Sequence, residues 1–145
     1  MAKHKSLKSL GNTILKISTD VEKNIVNGLR KAALVIDRVA VVKTPVDTGY
    51  ARSRWTASIG EPVAADPAVE KSIKIDKGQA TSIALSQARS EIRQWDAKGS
   101  LFITNPVHYV VYLDGGTSQQ EPLGITEEAV NAGQEVLKQL KVLKR

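Results

Sequence analysis

A chain of 145 residues with 41% hydrophobic and 25% charged side chains has the material for one ordinary domain around one core. It holds no cysteine and two histidines, which excludes disulfides and thiolate metal sites and leaves any histidine site dependent on carboxylates, so no metal and no cofactor is expected. The net charge of +6 sits at the ends: residues 1–16 and 138–145 carry eight bases and no acid, leaving thirteen bases and fifteen acids, a net −2, for residues 17–137.

Residues 1–11 read as a flexible basic N-terminus. Apolar residues at Ile14, Ile17, Val21, Ile25, Leu29, Ala32, Ile36, Val39 and Val42 recur at steps of three and four, which predicts one amphipathic helix over 12–43. At ~1.5 Å per residue it is roughly 48 Å long, the length of a scaffold or an interface. Asp20, Lys23, Asn24, Asn27, Arg30, Lys31 and Asp37 fall between the apolar positions, and this second face is expected to meet water or a partner. Pro45 ends the helix, because the residue before proline is pushed out of the α region. Asp47-Thr48-Gly49 then supplies turn chemistry, with the Asp47 carboxylate expected to accept nearby backbone amides.

Trp55–Ile59 reads as a strand with Trp55, Ala57 and Ile59 on one face, and residues 60–67 as loop. Ala80, Ile83, Ala84, Ala88, Ile92 and Trp95 return to helical spacing, predicting a second helix over 79–95, and Gly99 precedes a short buried strand at 100–104. Asn105-Pro106 stops that strand, and His108 to Leu113 fits either a strand or one to two helical turns. Residues 114–124 read as an exposed loop or extended arm. The closing helix takes Thr126 as N-cap, Glu127 and Glu128 at the positive end of its dipole, Ile125 stapled against Val130, and Val130, Val136, Leu137, Leu140 and Leu143 as its apolar side.

Few residues offer chemistry. The phosphate-loop, dinucleotide, nucleophile-elbow and zinc-protease motifs are all missing. His108 between Val107 and Tyr109 reads as a packing residue, and an enzyme built on Asp47, His108 and Tyr109 is the least favoured reading. The six aromatic residues do not interleave with bases as in a nucleic-acid stacking surface. The basic ends keep a small nucleic-acid-binding protein as the alternative function. Arg52 and Arg54, alternating at the start of the first strand, face either a DNA channel or a solvated strand surface paired with acids; both readings stay open. Residues 1–8 lack the apolar stretch of a secretion signal, and no run approaches the ~18 apolar residues of a membrane span, so synthesis in the cytoplasm and no membrane partner are expected.

The string Thr44-Pro-Val-Asp-Thr-Gly-Tyr-Ala-Arg-Ser-Arg-Trp55 resembles the signature of the tail-completion or neck family of long-tailed bacteriophages, in which a long N-terminal helix runs into Thr44, Pro45, Asp47, Thr48 and Gly49 and then a strand bearing Trp55. Similarity continues at Asp66-Pro67, at Ile103 to Tyr109 with Asn105 and Pro106, and at Tyr112 to Gly116 with Asp114; Ser118, Gln120, Pro122 and Gly124 match a pattern found in some members. Asp114 stands where many members carry glutamate, and Tyr50-Ala51 where many carry arginine and leucine. The resemblance implies an α+β fold in a single domain over 1–145, a small antiparallel sheet packed by long N- and C-terminal helices with a further helix inserted between the strands. It also implies a virion structural protein and no enzyme: a homohexameric ring between head connector or adaptor and tail tube or terminator, through which DNA passes without sequence recognition. Ser118, Gln120, Pro122 and Gly124 would then belong to an inter-subunit arm.

Overall fold

The computed structural model describes residues 6–65, 73–115 and 124–142. Helix α1 (Leu7–Lys43) leads into a single turn, α2 (Tyr50–Ser53), and the strand β1 (Thr56–Ile59). Helix α3 (Lys77–Gln94), strand β2 (Leu101–Thr104), the short α4 (Val110–Asp114) and the closing α5 (Ile125–Lys138) follow. The architecture is the expected α+β one: mostly helix, with a two-stranded antiparallel sheet packed against the long first and last helices and α3 inserted between the strands.

α1 begins earlier than its apolar stripe predicts. Residues 7–11, expected as part of a flexible terminus, form its first turns, because the Ser6 hydroxyl accepts the Ser9 N–H at 3.2 Å and caps the helix. Its 37 residues span about 55 Å. It stops at Thr44, one residue before Pro45, as the sequence requires.

β1 and β2 pair antiparallel with Thr56 opposite Thr104 and Ile59 opposite Leu101. The outer edge of β1 is closed by a side chain: the Gln87 amide of α3 accepts from Ala57 N–H at 2.9 Å and donates to Ala57 C=O at 3.0 Å, standing in for a third strand. Because Ala57 turns its backbone groups away from β2, its partner Ile103 turns its own away from β1, toward the outer edge of β2. Trp55 lies just before the strand and is buried, but Ile59, expected on the same face, is exposed.

The core lies along the second half of α1, which is covered on two sides. On one, α5 and the residues that follow it run antiparallel to it: Lys43 pairs with Glu128 at 2.9 Å, Gly133 meets Ile36, Gly28 meets Leu140, and Asn24 Nδ2 donates to Val142 C=O at 2.9 Å. A Cβ at Gly133 would run into Cγ1 and Cδ1 of Ile36, so the missing side chain sets how closely the helices approach. On the other, Ala80, Ala84, Ala88 and Ile92 of α3, four residues apart, bring a small-residue stripe to the core. Asp37, expected on the wet face, is buried here at 1% exposure, because α3 covers the face that a single-stripe reading leaves to solvent.

α5 is rotated from its predicted orientation. It buries Ile125, Ala129 and Gly133, while Val130 and Leu137 remain 40% exposed. Ile125 therefore enters the core beside Ala40, Val41 and Trp55. Gly124, not Thr126, is the N-cap, and the Thr126 N–H is taken by Asp114 Oδ1 at 2.6 Å. Glu127 and Glu128 do occupy the first turn. His108 to Leu113, open between strand and helix, resolves into a turn leading to α4, and the strand at β2 is half-buried rather than buried.

Candidate functional site

The residues from Thr44 to Trp55 form a hydrogen-bonded corner that ties the end of α1 to the sheet. Thr44 is fully buried; its hydroxyl donates to Ala40 C=O at 2.7 Å and accepts from Trp55 Nε1 at 2.7 Å. Gly49 has φ +79°, and a Cβ there would collide with the backbone oxygen of Ile75, so both conformation and space demand glycine. Ile75 N–H donates to Thr48 C=O at 2.7 Å, which docks the chain entering α3 on the same corner. The turn side chain is Thr48, whose hydroxyl accepts from Tyr50 N–H at 3.4 Å; the exposed Asp47 carboxylate, expected in that role, accepts no hydrogen bond among the described residues.

Arg52, expected on an open strand face, lies neither on a strand nor in solvent. It lies in α2, buried, with Nε and Nη2 donating to Thr44 C=O at 3.1 and 2.7 Å and Nη2 also donating to Val42 C=O at 2.8 Å. A guanidinium at a helix C-terminus satisfies carbonyls that have no intrahelical partner and faces the negative end of the dipole. Burial pulls its pKa below the usual range. Arg54, by contrast, is exposed, with its guanidinium 5.8 Å from the Tyr50 ring centre.

Residues far away in sequence close the corner. Asn105 Nδ2 donates to Ala51 C=O at 2.7 Å, and its Oδ1 accepts from Val107 N–H at 3.1 Å, while Pro106 is buried. Tyr109 reaches the Ala51 backbone and the Thr48 side chain; burial pushes its phenol up, opposed by those hydrogen bonds. His108 is exposed and stacks edge-on against Tyr109 at 5.6 Å. Asp114 joins α4 to α5 through Thr126, with Gly124 packed beside the Asp114 carbonyl. Gly116, Ser118, Gln120 and Pro122 lie outside the described residues.

Among the described residues two apolar surfaces are left uncovered. The first is the N-terminal half of α1: Leu7, Leu10, Ile14 and Ile17 share one stripe and are 88%, 38%, 57% and 50% exposed. The second is a groove of about 610 Å³ between α1, α5 and β2, walled by Leu29, Ile36, Leu101, Ile103, Val130 and Leu137. Neither was foreseen: periodicity marks both as apolar and says nothing of what covers them. Among the described residues no three histidine, aspartate or glutamate side chains gather to hold a metal ion, and no helix is long and apolar enough to cross a membrane. No family model, curated protein or solved structure matches the chain.

Proposed function

We propose that the chain is a structural subunit of the neck of a long-tailed bacteriophage, a tail-completion protein that acts as one copy in a hexameric ring between the head connector and the tail tube, with DNA passing through it. The observation that carries this reading is the convergence of the neck-like sequence pieces. Thr44 to Trp55, Asn105, Tyr109 and Asp114 are scattered over some seventy positions, yet the first three pieces share one hydrogen-bonded corner and the fourth pins the start of α5. That corner holds a long helix rigidly to a small sheet, and rigid presentation of surfaces is what a ring subunit contributes. The uncovered apolar faces of α1 and of the groove supply surfaces on which copies or neighbours can pack.

The test is reconstitution with phage connector and tail-tube proteins, read by light scattering and negative-stain imaging. Rings on the connector, and tails that join heads only when the chain is present, are the expected result. A chain that stays monomeric in the presence of those partners overturns the reading. Isolation alone is not the test, since such a subunit can assemble only on its partner.

A further inference from the structure

We infer that α3 is a proton-operated cover: over a neutral Asp37 carboxyl it lies closed on α1 and on the outer edge of β1, and loss of that proton releases it and opens the strand edge. The device belongs to the single chain and does not rest on the ring.

Asp37 stands one helical turn from two contacts with α3. Ala33, four residues before it, clusters with Ala57, Ala88 and Ile92, and Val41, four residues after it, clusters with Trp55 and Ala84. The side chain between them is therefore covered by α3; the residue is 1% exposed, and its Oδ1 is buried without a hydrogen-bond partner. Ile36, the preceding residue, faces Gly133 of α5 instead. The charged groups on the surrounding elements are engaged elsewhere or lie in solvent. Arg30 donates to the Trp95 carbonyl at 2.6 Å, Arg52 to the Val42 and Thr44 carbonyls, and Lys43 pairs with Glu128. Lys31 and Arg38 of α1 and Lys77, Arg89 and Arg93 of α3 are exposed, Glu91 of α3 is half-buried, and β1 carries no charged residue. Among the described residues none forms an ion pair with Asp37, and burial alone raises its carboxyl to about 7.

A buried carboxylate without a partner is costly, so an ionised Asp37 favours any state in which water reaches it. Release of α3 provides that state and leaves α5 in place, since the two helices lie on different sides of α1. The buried face of α3 is three alanine methyls and one isoleucine, and its side-chain ties to the rest of the fold are the Gln87 pair on Ala57 and a 3.5 Å contact from Arg52 to Thr81. Once α3 leaves, the Ala57 N–H and C=O lose Gln87 and stand unmet on a strand edge, the kind of surface that recruits an added strand. The open state gives up the Asp37 proton above the ordinary 3.8 and the closed state only above about 7. Opening therefore becomes about tenfold more favourable for each pH unit in between, and gains nothing further beyond.

Amide exchange of the full chain, followed by NMR between pH 5 and pH 8 and corrected for the intrinsic pH dependence of exchange, tests the cover. Two neighbouring amides separate local release from general unfolding: the Ala57 N–H is held by Gln87, whereas the Ser58 N–H lies on the β2 side. Ala57 and the amides from Ala84 to Ile92 are expected to share one protection factor, about tenfold or more below that of Ser58 and of Ala129 to Gly133 at every pH. That shared factor falls about tenfold per unit up to about pH 7 and then levels. Asp37→Asn removes the slope and keeps α3 and Ala57 closed throughout. Equal protection at Ala57 and Ser58, or α3 protection that does not vary with pH, overturns the inference from the wild-type series alone. An Asp37→Asn chain that keeps the wild-type slope assigns the proton to another group and overturns it as well.

Discussion

The two halves of α1 carry the same kind of apolar repeat and meet opposite fates. From Gly28 to Val41 the buried residues are glycine, alanines, Asp37 and Val41, and two helices close over them. From Leu7 to Ile17 the apolar residues are leucine and isoleucine, and they face water. In the covered half small residues stand where the helices approach most closely, as at Gly28 against Leu140; in the first half, among the described residues, nothing packs over Leu7 or Ile14. An amphipathic stripe therefore states that a surface needs cover, and does not say which segment supplies it.

Substitutions in the corner that anchors the covered half should have the largest effects. Gly49→Ala forces a side chain onto positive φ and into the Ile75 carbonyl, and should cost about 4 kcal/mol in chemical unfolding, enough to leave a marginal domain partly unfolded. A loss below about 1 kcal/mol would show that the corner does not hold α1 in place. Arg52→Met removes the donor from the Val42 and Thr44 carbonyls and should cost about 3 kcal/mol, with the first half of α1 unaffected. Hydrogen exchange would locate that change, and equal loss of protection along all of α1 would contradict the division drawn here.

Asp37 tests the covered half through pH. Burial raises its carboxyl from an ordinary 3.8 to about 7, so the folded state holds the proton more tightly than the unfolded chain. The resulting stability is complete below about pH 3.8 and is lost as pH rises through 7. Asp37→Asn should flatten that slope between pH 4 and pH 8 and raise stability at pH 8 by roughly 2–3 kcal/mol, measured as denaturant midpoints. Parallel pH profiles for the two proteins would show that Asp37 is hydrated in the fold.

The smallest effect on the fold is expected at the uncovered half. Ile14→Lys should change unfolding free energy by less than about 0.5 kcal/mol, because its side chain is already in water. A loss of several kcal/mol would mean that the stripe is covered within the monomer.

Much of this molecule follows from local chemistry. Pro45 ends α1 whatever surrounds it, the four-residue spacing from Ala80 to Ile92 writes α3, and Glu127 with Glu128 marks the start of α5, because proline sterics, helical periodicity and dipole preference act within a few residues. The resemblance at Thr44 to Trp55 singled out the corner, though not the roles inside it: Asp47 yields the turn to Thr48, and Arg52, read as a basic surface residue, caps a helix from within the protein. What the tertiary structure alone decided is where water is excluded. Asp37 is buried because α3 crosses behind it, Val130 is exposed because α5 turns Ala129 and Gly133 inward, and Ile14 is exposed because α5 does not reach it. Burial depends on what other segments cover, and a local pattern fixes the face of an element without fixing its neighbour.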